Sequence, residues 1–328
     1  METKRNVMLN FLKGFACISV VLIHVPFPGK VGEIVKCTSA YAVPLFFLIA
    51  GYFSFGKDEK VIKIRLIKMI KLFCFAVVMF FLFQGSLEIY LHALPEWLAE
   101  NFNIKALVRM VFFCTIGFAG ALWYLIAQIE AYVLWFFVVK YRKENLMVKL
   151  IPLLLILYYV IAVVVARKGL DWSVKANFIT GCLPWFTLGY YIHQLPKQRV
   201  GEIKNIYLLA AFLIGLAMSI SSAVFDMRII LYPIGHILYA TSLFLVGVKY
   251  PENCPIKCIA WIGDKLSLWI YIFHIPTSFF AWQVIKILSR IDTIARIDLW
   301  LYPVMTIGLV IVVAYIFDKL FNRSLLRR

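Results

Sequence analysis

Lys13 and His24 lie eleven residues apart in the apolar run that opens the chain. At 100° per residue that spacing returns to almost the same helix face, and the rise separates the two side chains by roughly 16 Å along the axis. A stripe with a fixed cation at one end and a titratable imidazole at the other could line a path through the membrane. His24 is its titratable member, since imidazole changes charge near neutral pH. Lys13 is its fixed positive charge. The pair also has a plainer use: Lys13 extends its head group to the lipid surface while His24 satisfies a neighbouring carbonyl.

Three further ionisable groups fall inside apolar runs: Glu130 in WYLIAQIEAYVLW, His236 in YPIGHILY and His274 in SLWIYIFHIPTSF. In hydrocarbon each costs several kcal/mol unless it is paired, neutralised or hydrated, which makes these positions the first to test for function. Pro276 follows His274 at two residues and frees backbone carbonyls nearby, so a structural hydrogen bond is the ordinary role for that imidazole. Glu130 needs a partner, for which a His or Lys13 would serve.

The elements that position these groups follow from composition. Of 328 residues 63% are hydrophobic and 16% charged, whereas a soluble domain is about half apolar and about a quarter charged. The chain therefore reads as an all-α polytopic membrane protein of about ten transmembrane helices, organised as a single domain over 1–328 with little mass outside the bilayer. Apolar runs between charged breaks place the spans near 9–27, 39–56, 71–93, 119–139, 149–166, 176–194, 205–225, 229–248, 266–287 and 298–320. The second run holds Pro44 and Gly51, which predicts a broken or tilted helix. With the N-terminus inside, 22 Lys and Arg fall in inner segments and 11 in outer loops, so both termini are expected in the cytoplasm.

The net charge of +17 lies between the spans rather than on one soluble surface. With no zinc-finger spacing and no phosphate-binding Gly-rich loop, a nucleic-acid partner is not expected. The seven cysteines mostly stand alone in apolar runs, and Cys254 and Cys258 lack a second pair at zinc-like spacing, so no metal is expected either. Lys4 and Arg5 ahead of an apolar run superficially resemble a secretory signal, but the run shows no cleavage pattern and is expected to remain as the first span. The stretch 57–71 sets cations among Val, Ile, Leu and Met, as a helix lying on an anionic leaflet would. Lys68 and Lys71 within it are candidates to meet the phosphates of a cytosolic donor. Residues 95–113 are too mixed to span and read as an interfacial segment.

Together these residues resemble one family. KGFACISVVLIH, which holds Lys13 and His24, is similar to the Arg/Lys-x10-His signature of the acyltransferase-3 family of membrane acyltransferases. PLFFLIAGYF (44–53), ALWYL (121–125) and SLWIYIFHIP (267–276) resemble its later motifs in the same order. At the position where the second motif usually has Ser, this chain has Ala50. The resemblance implies transfer of an acyl group, commonly acetyl from the coenzyme A thioester (acetyl-CoA), to a hydroxyl of a cell-envelope glycan or similar acceptor. It implies His24 and Lys13 as the catalytic pair, with His274 and Glu130 as orienting or proton-transfer groups. Trp123, Tyr124 and Tyr271, which belong to the matching motifs, are expected to line the substrate site. Acyl-CoA, the acceptor and membrane lipid are then the expected partners, in the inner or plasma membrane, and an oligomer is compatible. A different class fits the same polar groups: Lys13, Glu130 and the buried histidines could line a path for a small polar solute such as an amino acid, as in the membrane portion of membrane-bound serine racemases.

Overall fold

The computed structural model describes residues 6–225, 230–288 and 298–321. Lys4, Arg5, Arg228, Arg290, Arg296, Arg323, Arg327 and Arg328, which enter the charge count, lie outside the described residues. No strand occurs among the described residues, and sixteen α-helices follow one another. They are α1 (Val7–His24), α2 (Gly29–Ser39), α3 (Ala42–Tyr52), α4 (Glu59–Tyr90), α5 (Leu94–Asn101), α6 (Ile104–Phe113), α7 (Trp123–Lys140) and α8 (Glu144–Lys149). The second half holds α9 (Ile151–Lys168), α10 (Leu183–Gln194), α11 (Lys197–Glu202), α12 (Asn205–Val224), α13 (Leu231–Lys249), α14 (Lys257–Trp261), α15 (Ser267–Leu288) and α16 (Asp298–Phe321). Among the described residues, nine stretches are long and apolar enough to cross a membrane. Their outer faces carry large apolar side chains such as Val78, Leu82, Leu153, Ile156, Leu213 and Val312, as expected where lipid rather than water surrounds the helices. The chain is a multi-pass membrane protein.

Local chemistry explains where the helices start and stop. Val25 precedes Pro26, a position that disfavours helical backbone, and α1 ends at His24 with Val25 at φ −127°, ψ 73°. Pro44 cannot donate to the Ala40 carbonyl, so the second span is interrupted at Ala40–Tyr41 and resumes as α3, with Pro44 tolerated in the first turn. The predicted break is therefore real, and residues 29–39, read as an outer loop, form α2, which with α3 makes up the stretch Gly29–Tyr52 that is long and apolar enough to cross a membrane.

Two other expectations change. The basic stretch 57–71 is not a separate surface helix. Asp58 caps Val61 N–H, and α4 then runs unbroken for 32 residues, about 48 Å of helix against a hydrocarbon layer of about 30 Å. Its cationic first turns therefore project along the axis of the span, because no Gly or Pro interrupts them. The run expected at 176–194 is composite, a five-residue π turn (Phe178–Cys182) leading into the 12-residue α10, shorter than the ~20 residues of a full crossing. Residues 95–113 form the short helices α5 and α6; α6 buries no side chain and opens the apolar stretch Ile104–Lys140.

The chain groups into two compact units. One is drawn from Met1–Ile49 and Leu195–Arg323, and in it α1 packs against α2, α13, α14, α15 and α16. The helix with the polar stripe is thus the centre of its unit. The other is drawn from Ala50–Gln194, where α4 lies along α7 and the π turn Phe178–Cys182 packs on α7, α9 and α10.

Candidate active site

In the first unit, His24 ends α1 with its side chain exposed, and the imidazole of His274, 0% exposed, lies behind it with ring centroids 4.9 Å apart and planes tilted by 46°. The two histidines of the first and last motifs are therefore neighbours. His274 donates from Nδ1 to the Tyr271 carbonyl at 2.6 Å, which leaves the lone pair on Nε2. That buried Nε2 has no hydrogen-bond partner among the described residues. Tyr271 stands in the same cluster, its ring 6.0 Å from that of His274.

Backbone contact sets this geometry. A Cβ on Gly14 would strike the Ile259 carbonyl, and one on Gly263 would strike the Asn10 carbonyl and the Gly14 amide, so α1 and the segment from α14 through the π turn Ile262–Leu266 touch main chain to main chain. Only glycine allows this approach. Cys17, on the same stripe as Lys13 and His24, donates its thiol to the Ser267 carbonyl at 3.7 Å, and Asn10 reaches Asp264 at 3.5 Å. These contacts fix the register between α1 and α15, and with it the meeting of His24 with His274. Lys13 is partly exposed beside the Gly14 contact and lies within electrostatic reach of Cys17. His236 stacks on Tyr232 at 5.2 Å, one turn along α13.

In the second unit, the partner of Glu130 is the Cys114 thiol at 3.5 Å. Cys114 caps α6 in left-handed backbone (φ 52°), which turns its sulfur back toward α7. Trp123 opens α7 and meets Trp172 edge to face at 6.4 Å. Tyr124 follows it, partly exposed. The short turn that carries Trp172 is tied by Asp171, which accepts from the Ser173 amide at 2.9 Å and from its hydroxyl. Those hydrogen bonds hold the Asp171 carboxyl below the usual carboxylate range. On α4, Lys71 is exposed and Lys68 half-buried.

Two residues of the second unit escaped the sequence reading. Arg65 is partly buried and donates to the Ser54 hydroxyl at 3.2 Å, and Ser54 in turn donates to the Ala50 carbonyl at 2.8 Å. The hydroxyl missing at Ala50 is thus present one turn later. Gln128 is 1% exposed, and neither its amide oxygen nor its nitrogen finds a partner. The signal for Arg65 was in its spacing: Ile62, Leu72, Ala76 and Phe80 are the buried positions of α4, and Arg65 falls on their stripe while Lys60, Lys63 and Lys71 do not.

Among the described residues no three His, Cys, Asp or Glu side chains gather as a metal site requires. Residues 6–319 match a family model described as an acyltransferase domain. No curated protein and no solved structure matches the chain.

Proposed function

The chain belongs to the acyltransferase-3 family of membrane acyltransferases, and from that premise we propose that it carries an acyl group, acetyl first of all, from cytoplasmic acyl-CoA to a hydroxyl of an extracytoplasmic envelope acceptor such as a glycan. His24 takes the acceptor's hydroxyl proton as the oxygen attacks the thioester carbonyl. Collapse of the tetrahedral species breaks the C–S bond, and the departing thiolate recovers that proton from His24. His274 acts as a positioning residue. Its Nδ1–H is committed to Tyr271, and at 4.9 Å rotation of one ring brings a His24 N–H to the free Nε2 lone pair. Holding His24 in that tautomer leaves its other nitrogen basic, the logic of an oriented base. Lys13 offsets negative charge on the donor or on the developing oxyanion. The excess of Lys and Arg in the inner segments supports a cytoplasmic location for both termini.

The observation that carries the reading is the pairing of an exposed His24 with a buried, singly committed His274. Purified protein in lipid nanodiscs, given acetyl-CoA and an envelope extract, is expected to release free thiol. His24→Ala is expected to slow that release by about 10²–10⁴-fold. Unchanged transfer by a well-folded His24→Ala protein would overturn the proposal.

A further inference from the structure

α7 buries a polar stripe. Gln128, Tyr132 and Trp135 are spaced four and three residues apart on one face. Trp135 is 0% exposed, and its indole N–H, like both amide atoms of Gln128, has no hydrogen-bond partner among the described residues. Buried polar atoms are nearly always satisfied, so three orphans on one face call for a ligand or solvent. α4 lies along α7 and brings Arg65 into reach of the Tyr132 phenol. Helical side chains lean toward the N-terminus, so the Tyr132 phenol points to the turn that carries Gln128, and the guanidinium arrives there with it. Arg65 bonds the Ser54 hydroxyl and has no carboxylate partner among the described residues. Most of its five N–H donors remain available.

We propose that Arg65, Gln128 and Trp135 form a binding site for an anionic phosphate group, and that the phosphate belongs to the acyl donor; the second part rests on the donor named under the proposed function. The guanidinium, the indole N–H and the Gln128 amide N–H groups are donors, and the cation among them selects an anion; the Gln128 carbonyl oxygen accepts, and is met by a protonated phosphate oxygen or by water. The fork of Arg matches phosphate better than an ammonium does. On this assignment the cation of 57–71 that reads the donor is Arg65, on the inward stripe of α4, rather than Lys68 or Lys71.

Calorimetry on the full chain in nanodiscs, with coenzyme A and separately with inorganic pyrophosphate, tests both parts. R65Q is expected to weaken both by about tenfold or more, R65K to fall between, and Lys68→Gln with Lys71→Gln to change either by less than about threefold. Gln128→Leu removes two unsatisfied atoms, so it is expected to raise the melting temperature while weakening binding several-fold. It decides the matter if R65Q fails to fold, since a purely structural Gln128 would give the first effect without the second. Wild-type affinities retained by R65Q for both probes would overturn the site. Coenzyme A binding that ignores R65Q removes the site and leaves the donor reading standing. Arg65-dependent binding of pyrophosphate without coenzyme A keeps the site and removes the donor. Binding of neither probe by the wild type removes both.

Discussion

His24 and His274, from opposite ends of the chain, meet with ring centroids 4.9 Å apart, one exposed and the other fully buried. The buried ring has one nitrogen committed to Tyr271 and the other unbonded. His274→Phe keeps the ring volume and removes both nitrogens. It is expected to lower kcat about a hundredfold with little change in KM, and to shift the pH profile of kcat, because the orientation of His24 is lost rather than the substrate site. A folded His274→Phe protein with wild-type kcat would refute the positioning role.

The main-chain contact between α1 and the 257–266 segment is what delivers that pair. Gly14→Ala or Gly263→Ala sets a methyl against a carbonyl that cannot move freely. Each is expected to cost about 1–3 kcal/mol and to depress activity even where the protein stays folded. Gly85→Ala is the control: on α4 a Cβ there meets nothing within 4 Å, so a gain of about 0.5–1 kcal/mol is expected. Thermal melting in detergent reads all three.

Cys114 combines a left-handed backbone with the hydrogen bond to Glu130. Cys114→Ala keeps the unfavourable φ and strips Glu130 of its partner, which is expected to cost about 1–2 kcal/mol. Cys114→Gly removes the partner as well but relieves the backbone by about 1 kcal/mol. The alanine variant should therefore melt below the glycine variant; the reverse order would show that the cap carries no strain.

Asp171 sets a pH dependence in the turn that carries Trp172. Its carboxyl titrates below the ordinary range because Ser173 donates two hydrogen bonds to the charged form. A depressed folded pKa stabilises the fold above the unfolded pKa, about 3.9, and that contribution disappears as pH falls through the folded value. Wild type is thus expected to melt above Asp171→Asn at pH 6, with the gap closing below about pH 3.9. The carboxyl is exposed, so the difference should be small, and a gap unchanged in acid would exclude the mechanism.

Much of this architecture is local and was legible early. The residue before Pro26 ends α1, and Pro44 breaks the second span, each through rules that act within four residues. At 57–71 continuity overrides composition: nothing there interrupts the helix, so the basic stretch is part of α4 instead of lying apart. Arg65 looked like its neighbouring lysines until the burial of Ile62, Leu72 and Ala76 identified its face as the inward one.

By itself the sequence determined a helical membrane protein and put Lys13 and His24 on one stripe, since hydropathy and helical period depend only on residues near each other in the chain. Tertiary structure alone decided that His274 would be the residue behind His24, that Cys114 would serve Glu130, and that Arg65 would reach Tyr132. Those pairings depend on which helices pack and in what register. Here that is settled by close contacts such as Gly14 against Ile259, which no periodicity along the chain encodes.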